Sequence, residues 1–90
     1  MRVGQARKRD ANEKVIVDAL QAFGATVFRL SGEGIPDLLV GYRGRWVPLE
    51  VKSERGGFTK LQREAMTNGQ MYAVVVRDVA QALTAIGVNA

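Results

Sequence analysis

The 90-residue chain contains no cysteine and no histidine, and these two absences narrow its chemistry more than any other feature. Without cysteine the chain has no disulfide, and without either residue it lacks the usual ligands of a zinc site. Nucleophilic Ser-His and Cys-His pairs are excluded for the same reason. Any catalysis must therefore use carboxylates, lysine, hydroxyl groups or a bound ion.

Long apolar runs are also lacking. No 18 consecutive residues are apolar, so we expect no membrane span. The N-terminus is basic, but no apolar segment follows it, so we expect no secretory signal. A chain of this length suffices for one compact domain with a thin core, which makes a dimer that buries more apolar surface plausible.

The excess positive charge is concentrated at the N-terminus. Residues 1–9 contain four basic residues and no acid, whereas residues 10–90 contain nine basic and nine acidic residues, so the net charge of +4 belongs to the tail. Basic arms gain affinity for nucleic acid by releasing counterions, and a solubilising tail is the alternative. We predict a basic tail over residues 1–9 and a folded domain over residues 10–90.

Apolar periodicity predicts the element order α-β-β-β-α-β-α. The first helix covers Asp10–Phe23, with Asp10 or Asn12 as its cap and Gly24 at its end. The other predicted elements are strands over 25–30, 37–42, 45–52 and 71–76, and helices over 59–69 and 78–87. A strand-helix-strand step between the third and fourth strands implies a parallel pair. The predicted fold class is α/β (mixed α+β), a mixed four-stranded sheet flanked by helices.

The turn between the second and third strands fixes a register. Arg43-Gly44 suits a two-residue type I′ turn, so Tyr42 is predicted to pair with Arg45. The same register places Asp37 directly opposite Glu50, in a pair of close approach. Two facing carboxylates repel each other, and a divalent cation would compensate for that repulsion. Protonation of one carboxylate, or neutralisation by a nearby lysine, are the alternatives.

Three further residues bear on this group. Lys52 lies two residues after Glu50 and so projects from the same face of the strand. The competing interpretation is that Glu50 and Lys52 lie on the solvent-facing side of an edge strand. Pro48 has no N–H to donate, which requires a sheet edge or a bulge near it. Glu13 leans towards the apolar stripe of the first helix, although helices also favour acids near their N-termini.

These residues resemble a known superfamily. Gly34-Ile35-Pro36-Asp37-Leu38, followed twelve residues later by Glu50-Val51-Lys52, looks like the signature of the PD-(D/E)XK nucleases. Residues 56–62, Gly-Gly-Phe-Thr-Lys-Leu-Gln, are similar to the segment that distinguishes the VRR-NUC branch. The resemblance covers roughly residues 10–77 and implies an αβββαβ restriction-endonuclease-like core, followed here by a C-terminal helix.

The resemblance assigns roles to particular residues. It makes Asp37, Glu50 and the backbone carbonyl of Val51 ligands of Mg²⁺ or Mn²⁺. Lys52 would orient or activate the attacking water, and Gln62 would line the site.

Glu13 matches the acidic residue on the family's first helix, which reaches the metal directly or through a water. The predicted DNA-binding residues are Arg2, Arg7, Lys8, Arg9, Ser31 and Lys60.

The resemblance implies a metal-dependent DNA endonuclease that leaves 5′-phosphate and 3′-hydroxyl ends. Stand-alone VRR-NUC domains occur in phages and bacteria and resemble Holliday junction resolvases. We therefore expect a homodimer that acts on branched DNA in the cytoplasm of a bacterial or phage-infected cell. The alternatives are a nicking or restriction-type endonuclease on plain duplex, a catalytically silent nucleic-acid-binding module, and a structural domain that binds no metal.

Overall fold

The structure is a computed structural model that describes residues 11–53, 60–67 and 73–88. Its helices are α1 (Asn12–Ala22), α2 (Lys60–Thr67) and α3 (Val79–Ile86), and its strands are β1 (Thr26–Arg29), β2 (Leu38–Tyr42), β3 (Arg45–Val51) and β4 (Val74–Val76). The predicted element order is confirmed. The predicted start of the last strand, Met71 and Tyr72, lies outside the described residues, as does Thr59 before α2.

The four strands form one mixed sheet in the order β1-β2-β3-β4. The first two pairings are antiparallel and the pairing of β3 with β4 is parallel, as predicted. Tyr42 pairs with Arg45, and the register continues without a slip to the pair Leu38–Leu49. Arg43 and Gly44 have φ angles of 51° and 80°, the two positive values that a type I′ turn requires.

Pro48 lies where the sheet does not need its missing N–H. It faces Leu39 of β2 across the hairpin, and the parallel pairs of β3 with β4 begin one residue later, at Leu49–Val74. The amide that proline lacks would therefore have pointed beyond the first residue pair of β4. A central strand can hold proline at this position because its second neighbour begins only after it.

The core lies between one face of the sheet and the two helices α1 and α3. Alternate residues of β2 and β3 point into this layer, and Leu38, Val40 and Leu49 have no exposed surface. The helices contribute the remaining large apolar side chains, which are Ile16, Val17, Leu20, Ala82 and Ile86. Burial of each large side chain contributes roughly 1.5–3 kcal/mol. This face therefore holds most of the large apolar side chains that the structure describes as buried.

The helix ends test the predicted caps. Asp78 caps α3 by accepting a 2.8 Å hydrogen bond from the Gln81 amide, and Gly87 ends it with φ 99°, so both predictions are confirmed. The N-cap of α1 is Ala11, whose side chain makes no capping bond. The cap prediction for Asn12 is wrong, because this residue is already helical and its amide binds elsewhere. Asp10 lies outside the described residues.

Within the described ranges, none of the helices is long and apolar enough to cross a membrane.

Candidate active site

Four charged side chains are buried among the residues that the structure describes. They are Glu13, Asp37, Glu50 and Lys52, with exposed fractions of 3%, 6%, 1% and 9%. Charged side chains are rarely buried unless they are paired or bind an ion, because desolvation disfavours the charge. The interpretation of Glu50 and Lys52 as the solvent side of an edge strand is therefore wrong. Both are buried, and β3 has a neighbouring strand on each side.

Asp37 lies one residue before β2 and not within it. Its amide donates to the Leu49 carbonyl at 3.1 Å, and its Oδ2 accepts the Val51 amide at 2.8 Å. The carboxylate thus takes the place of a backbone acceptor in the ladder. The pairing ends at Leu38–Leu49, and the prediction that Asp37 pairs directly with Glu50 is wrong by this one step. The preceding Pro36 has no N–H with which to continue the strand.

The bond from Val51 to Asp37 also orients a backbone carbonyl. In a strand the N–H and C=O of one residue point to the same neighbour. The Val51 carbonyl therefore points to the edge of β3 that the Asp37 carboxylate occupies. A carboxylate that accepts a backbone N–H is held in one orientation by a charge-assisted hydrogen bond.

Glu50 and Lys52 form an ion pair on the same face of β3. Lys52 Nζ lies 3.0 Å from Glu50 Oε2, and the two side chains are 11% and 2% exposed, lysine first. This is one of the compensations for carboxylate repulsion that the sequence left open. Asp37 is a further buried carboxylate at this end of the sheet. Carboxylate oxygens are the ligands that hard divalent cations prefer.

Glu13 approaches from α1 and is paired with an arginine. Its Oε2 lies 3.2 Å from Nε of Arg29, whose side chain is half exposed. The prediction that Glu13 leans into the protein is confirmed. Among the described residues, however, no three acidic side chains are grouped to hold one metal ion. The sequence did not identify Arg29 as a partner, although strand alternation places it on the same face of β1 as Val27.

Asn12 is a supporting residue that sequence analysis assigned wrongly. Its Nδ2 donates to the carbonyl of Lys52 at 3.2 Å and to that of Arg77 at 3.0 Å. The guanidinium of Arg77 donates to the carbonyl of Ser53, and the Lys52 amide donates to Val76. The backbone at and after Lys52 is therefore held by α1 and by the end of β4. No local pattern could have revealed these long-range bonds.

The remaining predicted site residues are placed less fully. Gln62 belongs to α2, but its side chain is not described. Lys60 is exposed at the first position of α2, and Ser31 is exposed in the loop before Asp37. A Cβ added to Gly34 would lie 3.9 Å from that of Leu61, so the first turn of α2 is beside this loop. The predicted DNA-binding residues of the tail, Arg2, Arg7, Lys8 and Arg9, lie outside the described residues.

Comparison with known proteins adds one finding. The chain is similar to a solved structure described as a VRR_NUC domain, with 26% sequence identity and a TM-score of 0.58. The match covers 83% of this chain and 94% of that one. No protein-family model and no curated protein sequence matches the chain. The extent of the structural match agrees with the predicted signature, so the chain resembles a VRR-NUC domain over most of its length, and a placement in the PD-(D/E)XK superfamily is consistent with its fold.

Proposed function

We propose that this chain is a divalent-metal-dependent endonuclease that hydrolyses phosphodiester bonds in DNA. The observation that carries the proposal is the buried group of Asp37, Glu50 and Lys52. A structural domain gains little from such a group, because burying charges costs more than packing apolar residues of similar volume. A nuclease needs both kinds of charge at one place, since it must attract a cation and stabilise a phosphate.

The donor atoms suit a hard cation. We propose that Asp37, Glu50 and the carbonyl of Val51 hold Mg²⁺ or Mn²⁺, because these ions prefer oxygen ligands and retain several waters. A carboxylate has about four acceptor positions, and the bond from the Val51 amide uses one of those of Asp37. Glu13 is proposed to act through a water, since its carboxylate is engaged by Arg29.

The chain's own residues would position the reacting groups. A bound ion supplies Lewis-acid polarisation of the phosphoryl oxygen, a more acidic water and stabilisation of the leaving 3′-oxygen. Lys52 contributes positive charge near the phosphate as negative charge develops on it. Asn12 and Arg77 hold the backbone at and after Lys52 and so limit the movement of its side chain. Gln62 is proposed to line the same site from α2.

Replacement of Asp37 by asparagine tests the site. The asparagine side chain would keep an oxygen to accept the Val51 amide while removing the charge, so the fold should be retained. We expect the cleavage rate to fall by about 10²-fold or more, as is typical when a group that stabilises the transition state is removed. The measurement is single-turnover cleavage of labelled DNA with Mg²⁺ or Mn²⁺, and EDTA should abolish the reaction.

Asp18→Asn is the matched control, because Asp18 is an exposed aspartate paired with Lys14 on α1. It should cleave DNA at the rate of the original protein. Unchanged cleavage by Asp37→Asn, or cleavage that persists in EDTA, would contradict the proposal. Tight DNA binding with no cleavage under any metal would favour the catalytically silent module.

For the substrate, we propose branched DNA cut by a homodimer. Two active sites related by a two-fold axis suit a symmetric junction, and a second subunit would add surface that contacts DNA. A panel of labelled junction, flap and duplex substrates separates this proposal from a nicking or restriction-type enzyme that cuts plain duplex. A monomer in sedimentation velocity at micromolar concentration would count against the dimer.

The basic tail is proposed to strengthen DNA binding. It carries four positive charges within residues 1–9. Deletion of these residues should weaken binding and make it less dependent on salt, because fewer counterions are released. Affinity is measured by anisotropy over a series of salt concentrations, with metal binding as the control that stays unchanged. Identical salt dependence of both forms would show that the tail only aids solubility.

A further inference from the structure

Large aromatic side chains are exposed on the face of the sheet away from α1 and α3. Trp46 is 57% exposed and Phe28 is 52% exposed, and their ring centroids lie 5.8 Å apart. Trp46, Glu50 and Lys52 are on the same face of β3, because they are separated by even numbers of residues. Four residues of strand place the Cα of Trp46 about 13 Å from that of Glu50. We name the pair Phe28 and Trp46 the aromatic platform.

The platform is held in place by a glycine. Gly41 is the cross-strand partner of Trp46, and a Cβ added to it would lie 2.9–3.1 Å from three atoms of the indole. The indole therefore lies against the backbone of β2, where a side chain would have displaced it. Trp46 nevertheless remains more than half exposed. A ring fixed in this way loses little further freedom when a second planar group stacks on it.

Positive charge lies at the hairpin end of the platform. Residues 38–49 contain two arginines, Arg43 and Arg45, and no acidic residue. An open cleft of about 380 Å³ lies at the hairpin end of the sheet, and its lining includes Trp46, Arg43 and Arg45. Arg45 also reaches back to the Ile86 carbonyl at the end of α3.

Arg43 is at the tip of the hairpin, with its guanidinium 5.3 Å from the centre of the Tyr42 ring. Its φ of 51° is a value at which glycine or asparagine is usual in this turn type. An arginine there sacrifices some backbone stability, and it places a positive charge at the hairpin tip, beside the cleft that Trp46 also lines.

We propose that the aromatic platform stacks unpaired bases of a DNA strand, while Arg43 contacts its phosphates. Exposed aromatic rings beside positive charge are the combination with which proteins bind single-stranded nucleic acid. The strand would run along β3 from the platform to the buried charges. A second copy of the chain is the less suitable occupant, because a two-fold interface on this surface would bring the arginines of both copies together. The inference rests on the proposed function only in taking DNA as the ligand.

Trp46 provides its own probe, since it is the only tryptophan in the chain. Titration of the protein with an oligothymidylate in EDTA should quench its fluorescence, because a stacked base quenches an indole. Trp46→Leu should weaken affinity for this oligonucleotide about tenfold, the effect of losing one stacking contact. Trp46→Phe, which keeps an aromatic ring, should lose less. When the same Trp46 variants are titrated with forked and fully paired duplexes, the loss of affinity should be larger for the forked duplex.

Phe23→Leu is the matched control for Phe28→Leu, because Phe23 is 51% exposed at the end of α1. Phe23→Leu should bind like the original protein, and Phe28→Leu should bind more weakly. Unchanged tryptophan emission, together with unchanged affinity of Trp46→Leu, would overturn the proposal. So would emission that shifts with protein concentration in the absence of DNA, because that result assigns the platform to an interface between copies.

The two proposals fail separately. The tryptophan fluorescence of Asp37→Asn should be quenched when the oligonucleotide binds, yet this variant should not cleave DNA. Fluorescence quenching by DNA in a protein that shows no metal-dependent cleavage would contradict the proposed function and support the aromatic platform. Metal-dependent cleavage by a protein whose tryptophan fluorescence does not respond to DNA would support the proposed function and contradict the aromatic platform.

Discussion

The two ends of one face of β3 differ in a way that reverses the usual partition of side chains. At the carboxyl end, Glu50 and Lys52 are buried charges, whereas at the hairpin end Trp46 is an exposed aromatic residue. Charged groups normally face water and large rings normally face the core. On the other face of the same strand, Val47 and Leu49 follow the normal rule. Within β3, the departures are therefore confined to the face that points away from α1 and α3.

The neighbouring strands account for part of this difference. The carboxyl end of β3 is flanked on one side by β4 and on the other by Asp37, which completes the ladder with its side chain. The pairing with β4 begins at Leu49, so Trp46 lies beyond the described part of that strand. Buried charge thus occurs where the backbone is most closely surrounded. Exposed rings occur where, among the described residues, β2 is the strand that pairs with β3.

The largest expected effect is at the buried end. Lys52→Met leaves Glu50 buried without its cation, so the free energy of unfolding should fall by about 3–5 kcal/mol. Urea denaturation in EDTA measures this, and the double variant Lys52→Met/Glu50→Gln should recover most of the loss. The exposed pair Lys14–Asp18 is the control, and Lys14→Met should cost at most about 0.5 kcal/mol. Similar losses in the free energy of unfolding for Lys52→Met and Lys14→Met would contradict the distinction between the buried and the exposed ion pair.

A smaller effect is expected at the exposed end. Gly41→Ala places a Cβ against the indole of Trp46, so the ring must move, at a cost of about 1–3 kcal/mol. The displaced indole should show changed fluorescence. In the Trp46→Leu background the same glycine substitution should cost less, because leucine can move aside, and the difference is measured as a double-mutant cycle. Equal costs in both backgrounds would show that glycine serves another purpose there.

The smallest expected effect is at the tip of the hairpin, where the substitution should raise the free energy of unfolding and not lower it. Arg43→Asn should raise the free energy of unfolding by roughly 0.5 kcal/mol, because asparagine tolerates the positive φ that a type I′ turn requires. The same variant should bind oligothymidylate more weakly. Thermal unfolding and anisotropy measure the two changes. A variant that loses stability and keeps its full affinity would remove the functional reason for arginine at this position.

Features encoded by neighbouring residues were predictable from the sequence. The register of β2 and β3 follows from the two-residue turn Arg43-Gly44, and the ends of α3 follow from Asp78 and Gly87. In each case the signal and the structure lie within a few residues of each other. The resemblance to VRR-NUC domains had the same basis, since its motif residues form three short segments of the sequence, 34–38, 50–52 and 56–62.

Features that depend on distant residues were not predictable. Asparagine is a residue type that often caps helices. The side-chain amide of Asn12 instead donates to the carbonyls of Lys52 and Arg77, which are 40 and 65 positions away in the chain. Asp37 leaves the ladder that alternation predicts, because its carboxylate replaces a backbone acceptor. Alternation also assigns Trp46 and Glu50 to one face, but it does not say which part of that face is covered. Those outcomes depend on tertiary packing.

The long-range bonds of Asn12 have a consequence for the order in which the domain folds. The hairpin of β2 and β3 closes over two residues, and such closure takes microseconds and costs little chain entropy. The carboxyl end of β3 is complete only when α1 and the segment after β4 have met, which are contacts of high sequence separation. A nascent chain would thus have its hairpin and Trp46 before its carboxylates are assembled. The proposed active site would then be completed only late in folding.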